Sequence, residues 1–249
     1  MTTAVIVQAR MTSTRLPGKV LKKLGGETVL SHVLRRCRQI PGMDVVCCAV
    51  PDDAASDPVA DEALRLGVEV CRGSEHDVLD RYYRAAEVCS ADVVMRVTSD
   101  CPLIDPEICG QLIRLHADTN ADYACNNMPP SWPHGLDCEI VSFDWLERSA
   151  REANKKYERE HVTQYVRNHP DARRSNLAGP GGDCVRHRWT LDTPDDFTFF
   201  EALWAQLPAG EMLSGYRDIL EIVTDKPQLA MINSGQDRDE GLKKSIRES

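Results

Sequence analysis

No stretch of this 249-residue chain approaches the roughly 20 apolar residues of a membrane span. Its first segment also lacks the charged and apolar regions of a signal peptide. Both absences set the expectation of a cytoplasmic protein with no membrane partner. Basic residues do not dominate: 30 Lys and Arg stand against 39 Asp and Glu, for a formal net charge of −9. That balance disfavours a nucleic-acid partner or an anionic lipid surface, so any anionic ligand must be held by a local basic pocket. There is no CxxC pair, and His134, Cys138 and His161 follow no zinc spacing. The ten cysteines are scattered through apolar segments, as with Cys47, Cys48, Cys71 and Cys89, and read as reduced, mostly buried thiols. Also missing are a Walker loop, a DxD triplet at a strand end, internal repeats and low-complexity segments. Aromatics are few, at 6% of residues, yet the length suffices to bury the core of one α/β domain.

What is present is alternation. Residues 4–7 read as a strand, and a polar loop leads to a helix over 28–38 with Val29, His32, Val33 and Arg36 at helical spacing. A strand over 45–50, a helix over 59–66 ended by Gly67, a strand over 68–71, a helix over 78–89 and a strand over 92–97 repeat the rhythm. The pattern predicts a three-layer α/β/α, Rossmann-like fold with a mainly parallel sheet. After a helix over 108–116 the rhythm lapses. Strands over 123–127 and 136–141 flank a Pro-rich excursion at 129–133, a small subregion suited to substrate specificity. Helices over 143–153 and 158–168, a Gly/Pro loop over 176–183, a strand over 185–191 and a helix from 194 follow, and the closing stretch is helical and charged.

Three segments carry chemistry. Gln8-Ala9-Arg10-Met11-Thr12-Ser13-Thr14-Arg15-Leu16-Pro17-Gly18-Lys19 leaves the first strand with three cations, as a triphosphate loop needs. By composition alone it fits a solvated basic turn equally well. Arg96-Val97-Thr98-Ser99-Asp100-Cys101-Pro102-Leu103 puts a carboxylate at the carboxyl end of a strand, where open α/β sheets bind ligands; a turn or N-cap aspartate would look the same. Arg188-Trp189-Thr190-Leu191-Asp192-Thr193-Pro194-Asp195-Asp196 reads as a strand ending in Asp192, with Thr193 capping a helix whose N-terminal dipole Asp195 and Asp196 favour.

The run from Gln8 to Lys19 resembles the nucleotide-binding signature of the sugar cytidylyltransferases of the spore-coat polysaccharide type. These are similar to the CMP-Kdo and CMP-sialic acid (acylneuraminate) synthetases, Kdo being 3-deoxy-manno-octulosonate. Arg15-Leu16-Pro17-Gly18-Lys19 matches the Kdo and spore-coat versions better than the sialate one. The resemblance implies a GT-A-like nucleotidyltransferase fold in one domain over 1–249: a nucleotide-binding half at 1–118, a sugar-binding and dimer excursion at 119–183, and a second metal carboxylate with C-terminal helices at 184–249. It implies that Gln8, Ala9, Arg10, Met11, Ser13, Arg15, Lys19 and Ser99 bind the nucleotide, bordered by Arg72, Gly73 and Asp80. Ser99 stands where relatives often have Gly. Arg10, Lys19, Asp100 and Asp192 inherit catalysis, and Asp100 and Asp192 the metal, for which two carboxylates plus phosphate oxygens suit Mg²⁺. Asp137, Glu139, Arg159, Glu160 and His161 inherit the sugar, although a lone His161 is equally a structural histidine. Arg238-Asp239-Glu240-Gly241-Leu242-Lys243-Lys244-Ser245 resembles the family's ending, so the likeness covers almost the whole chain.

The activity implied is transfer of CMP from CTP to an acidic sugar with release of pyrophosphate, by a homodimer. Two other readings stand beside it: a nucleotide-sugar-dependent glycosyltransferase on a similar sheet, which would release a nucleoside diphosphate, and a non-catalytic nucleotide sensor, which would bind CTP without turnover.

Overall fold

The computed structural model describes residues 1–207, 214–236, 238, 240–247 and 249. Asp239, within the C-terminal run noted above, lies outside the described residues.

Side-chain alternation along the first strand decides the layering. In β1 (Thr3–Gln8), Val5 and Val7 join one core while Ala4 and Ile6 join another, all fully buried, so both faces of the sheet need cover. A short antiparallel ribbon, β2 (Lys23–Leu24) with β3 (Glu27–Thr28), follows. The central sheet adds β4 (Val45–Pro51), β5 (Glu69–Gly73), β6 (Val93–Thr98), β7 (Tyr123–Cys125), β8 (Glu139–Ser142) and β9 (Arg174–Asn176). Their spatial order is β5-β4-β1-β6-β8-β7-β9, with β8 antiparallel to both its neighbours. Helices α1 (Val29–Cys37) and α2 (Asp57–Arg65) cover one face, α3 (Val78–Val88) the other, and α4 (Pro106–Thr119) returns to the first. Helix α5 (Phe143–Glu152) joins α3 on the second face. The layered α/β architecture with a mostly parallel sheet is therefore the one the alternation predicts.

The chain steps from β1 to β4 and β5 on one side, then returns to β6 on the other side of β1. The loops leaving the carboxyl ends of β1 and β6 diverge there, which opens a crevice at the switch point. A third core rests beside those loops. It joins Leu16 and Leu103 to Trp189, Leu191 and Phe199, Phe200 and Leu203 of the C-terminal region.

Three sequence readings change. Residues 158–168 are two short helices, α6 (Lys156–Glu160) and α7 (Gln164–Asn168), separated by Val162 at φ 59°. Of the loop expected over 176–183, Asn176 instead ends a strand, Arg174–Asn176, which pairs in parallel with β7 and forms β9 at the sheet edge, and residues 177–181 are loop. Residues 185–191 are not a strand. Gly182–Arg186 is a 3₁₀ helix, and beyond it Arg188 makes only an isolated bridge with His134. The backbone there is spent on two other segments: His134 N–H donates to His187, Trp189 N–H to His134 (2.6 Å) and Leu191 N–H to Asp100 (2.8 Å). The C-terminal helices α8 (Pro194–Trp204), α9 (Tyr216–Asp225), α10 (Pro227–Met231) and α11 (Glu240–Arg247) complete the described fold.

The approach of the 134 turn to residue 189 is possible only because residue 135 is glycine. Its φ is +109°, and a Cβ there would lie 2.1 Å from the Trp189 carbonyl oxygen. Gly135→Ala should lower unfolding free energy by about 2 kcal/mol or more, measured by urea denaturation; an unchanged midpoint would refute the tight packing of this turn.

Candidate active site

The loop after β1 is pinched by its own backbone. The Met11 carbonyl accepts from Ser13 N–H (2.9 Å) and Gly18 N–H (3.2 Å). Gly18, in the left-handed region at φ 65°, then delivers Lys19 to the start of a 3₁₀ helix, Lys19–Leu21. Lys19 Nζ donates to Asp100 Oδ2 at 3.0 Å and to Asp192 Oδ1 at 2.7 Å. Arg15 Nη2 lies 3.2 Å from Asp192 Oδ2, and its Nη1 lies 2.5 Å from Glu240 Oε2. Asp100 comes from the turn after β6, whereas Asp192 comes from the segment before α8. Those two backbones are joined by the Leu191 bond to the Asp100 carbonyl, which Thr190 Oγ1 also approaches at 3.3 Å.

Charge states follow from these contacts. Burial alone would raise the Asp100 pKa, but the Lys19 ammonium and the Thr98 hydroxyl outweigh it and hold the carboxyl well below its usual range. Burial would likewise depress Lys19, and the two carboxylates reverse the shift. Asp100 and Lys19 are therefore both charged at neutral pH. The two aspartates converge on one point with oxygen donors only, the donor set of a hard divalent cation. Among the described residues no third His, Cys, Asp or Glu joins them.

Behind Asp192 lies a cluster that sequence reasoning missed. The sequence predicts a helix-dipole role for Asp196, and it does complete a capping box with Thr193. It is also fully buried and pairs bidentately with Arg188, at 2.8 Å from Nε and 3.0 Å from Nη2. Its carboxylate further accepts from the backbone N–H groups of Asp192 and Thr193, each at 2.9 Å, and from Asn233 Nδ2 at 2.9 Å. Arg188 reaches on to Asp192 Oδ2 at 3.5 Å. Arg188, four residues before one acid and eight before another, was the available signal.

Other candidates sit in varied surroundings. Ser99 N–H donates to the Gln8 carbonyl at 3.2 Å, tying the two strand ends together, and Ala9 N–H donates to the Ala49 carbonyl at 3.1 Å. Gln8 Oε1 is buried with no hydrogen-bond partner among the described residues, and Arg10 stays exposed. Ser13 Oγ accepts from Leu16 N–H at 3.4 Å. Arg72 pairs with Asp57 (2.6 Å) and Asp80 with Arg84 (2.7 Å), while a Cβ on Gly73 would lie 3.2 Å from the Arg81 side chain. Of the sugar candidates, Asp137 pairs with Arg238. Glu139 is buried with Arg96, the Tyr123 hydroxyl and the Thr163 hydroxyl. Arg159 bonds Asp77 and the carbonyls of Ala150 and Ala153. Glu160 and His161 both meet Ser245 of α11, at 2.8 and 3.1 Å. The structure thus gathers Lys19, Arg15, Asp100 and Asp192 into one cluster and engages Arg72, Asp80 and Arg159 elsewhere.

A polar loop off β1, facing two carboxylates at the switch point of a mostly parallel sheet, defines an α/β protein of the nucleotidyltransferase type. Comparison with known proteins carries the class further. A cytidylyltransferase family model matches residues 4–207, and the chain belongs to that family. It is 36% identical to the spore coat polysaccharide biosynthesis protein SpsF of Bacillus subtilis, over 83% of this chain and 87% of that one. It is 38% identical to 3-deoxy-manno-octulosonate cytidylyltransferase of Aeromonas salmonicida over about half of each chain, 52% and 51%. A solved cytidylyltransferase of Leptospira borgpetersenii superposes with TM-score 0.87 at 28% identity, covering 95% of this chain and 98% of that one. The protein is accordingly a nucleotidyltransferase enzyme. Among the described residues no helix is long and apolar enough to cross a membrane.

The Asp196 carboxylate is held below its ordinary pKa: burial opposes this, but the bonds from Arg188 outweigh it. A depressed folded pKa means a contribution fully present above about pH 4 and lost as pH falls through the lower folded value. Asp196→Ala should cost about 3 kcal/mol at pH 7, because it strands a buried guanidinium, and should flatten the acid limb of the stability curve. Equal acid limbs in denaturation series on both proteins would refute that assignment.

Proposed function

We propose that this enzyme transfers CMP from CTP to a hydroxyl of an acidic sugar of the Kdo or nonulosonic class, releasing pyrophosphate, in the synthesis of a surface polysaccharide. The observation that carries the reading is the convergence of Lys19, Asp100 and Asp192 beside the loop from Gln8 to Lys19. A cytidylyltransferase needs a cation-lined place for a triphosphate and a paired carboxylate site next to its α-phosphorus, and this cluster offers both. The names of the two curated relatives support the acceptor class and the polysaccharide role.

In this reading residues 1–118 bind the nucleotide, 119–183 supply acceptor contacts and the contact between two copies, and 184–249 bring the second carboxylate. Asp100 and Asp192 would hold Mg²⁺, which supplies charge neutralisation at the α-phosphate and a lowered pKa for the attacking hydroxyl. The chain's own part is positional and electrostatic. Arg10, Arg15 and Lys19 take up the charge that builds on the departing pyrophosphate. Arg188 and Asp196 keep Asp192 turned toward Lys19. Gln8 Oε1, an orphaned acceptor at the end of the central strand, offers a partner to a donor on the base.

The test is pyrophosphate release with each of the four common nucleoside triphosphates and a panel of Kdo, sialic, legionaminic and pseudaminic acids. Release that requires both CTP and an acidic sugar is expected; equal rates with UTP or ATP would overturn the nucleotide assignment. Asp192→Ala and Lys19→Met should each lower turnover by about 10²-fold or more with the far-UV spectrum unchanged. Wild-type turnover by Asp192→Ala at saturating Mg²⁺ would remove that residue from the metal site.

A further inference from the structure

The carboxylate of Asp192 is held from behind as well as from the crevice. Lys19 takes its Oδ1, whereas its Oδ2 faces Arg15 Nη2 at 3.2 Å and Arg188 Nη2 at 3.5 Å. Arg188 keeps that place only while its own guanidinium is fixed, and Asp196 fixes it with both oxygens. Asp196 Oδ2 takes Arg188 Nη2 and the N–H groups of Asp192 and Thr193, which leaves Oδ1 for Arg188 Nε and one further donor.

That donor is Asn233, which follows α10 and is only 3% exposed. Its Nδ2 donates to Asp196 Oδ1 at 2.9 Å and to the Arg188 carbonyl oxygen at 3.0 Å. Both partners can only accept, so the amide turns its NH₂ toward them and both of its hydrogens are used. One side chain thus ties the Arg188 backbone to the acid that the Arg188 guanidinium grips. An asparagine just past a helix commonly bonds backbone in its own neighbourhood, but these bonds reach 37 and 45 residues back along the chain. Apolar burial brings Asn233 there: Leu229 of α10 shares the third core with Phe199 and Phe200 of α8, and Ile232 packs against the same core.

We propose that Asn233 is a positioning residue of the active site: by bridging Asp196 and the Arg188 backbone it keeps Arg188 against Asp192, and so sets how strongly CTP and the divalent cation are taken up together. Asn233 is neutral, so its loss removes orientation without removing charge. The Arg188–Asp196 pair survives, but the Arg188 carbonyl and Asp196 Oδ1 each lose a donor, and the guanidinium is freed to turn away from Asp192. The inference rests on the reading of Asp100 and Asp192 as the Mg²⁺ site.

The test is calorimetric and needs no turnover. CTP affinity is measured in EDTA and in saturating Mg²⁺ for wild type, Asp192→Ala, Asn233→Leu, Asn233→Ser and the double variant Asp192→Ala/Asn233→Leu, with thermal melts alongside. Asn233→Leu should lose about 10-fold of the tightening that Mg²⁺ confers, as removal of a group supporting a metal ligand does, while its affinity for metal-free CTP stays within about twofold of wild type. Asn233→Ser keeps one donor and should fall between, and it carries the test if Asn233→Leu does not fold. In the Asp192→Ala background Asn233→Leu should take nothing further from the Mg²⁺ effect, although it still lowers the melting temperature. A further, additive loss in the double variant, equal losses with and without Mg²⁺, or wild-type tightening in a folded Asn233 variant would overturn the assignment and leave the metal site intact. If Mg²⁺ tightens CTP binding equally in wild type and Asp192→Ala, the metal reading itself falls and takes this inference with it.

Discussion

Two carboxylates facing one point repel each other, and the site depends on how the chain holds Asp100 and Asp192 together. The Lys19 ammonium shared between them, at 3.0 and 2.7 Å, offsets part of that repulsion. Backbone bonding supplies the rest of the constraint. Leu191 N–H binds the Asp100 carbonyl directly, so the two aspartate-bearing segments cannot drift apart independently. Arg188, fixed by a fully buried Asp196, then sets the far side of Asp192. That Asp196 also accepts the Asp192 and Thr193 N–H groups makes helix capping and site geometry a single event.

The same logic explains how a protein of net charge −9 can hold a polyanion. Cations around the crevice come with counter-charges: Lys19 with two aspartates, Arg15 with Asp192 and Glu240, Arg188 with Asp196, Arg238 with Asp137. Such pairing limits the cost of gathering basic groups in a partly dry cleft. The exposed Arg15–Glu240 contact, with side chains 41% and 57% accessible, is the weakest of these and is worth at most about 1 kcal/mol.

Much of this was legible before any coordinates. The alternation of β1, β4 and β6 announces a sheet covered on both faces, and the loop from Gln8 to Lys19 and the aspartate after β6 stand where an open α/β sheet binds ligands. Thr193 reads correctly as a cap. The failures share a cause in long-range contacts. Residues 185–191 read as a strand, yet their hydrogen bonds go to His134 and to Asp100, partners that no local pattern reveals. The break at Val162 is equally silent, because a β-branched residue at φ 59° is held there by its surroundings and not by its own preference. Asp196 looked like an ordinary first-turn acid, since only the fold shows that Arg188 is buried against it.

These contacts tie the site to completion of the chain. Lys19 and Asp192 are 173 residues apart, and Arg15 and Glu240 are 225 apart. The paired carboxylates require residues 187–196 to be docked on the 134 turn. The third core, which brings Phe199, Phe200 and Leu203 against Leu16 and Leu103, is thus a device of position as much as of stability. Apolar burial there draws in the segment that carries Asp192. The hydrophobic effect, which has no direction of its own, supplies the force, and the Arg188–Asp196 pair converts it into the orientation of one carboxylate.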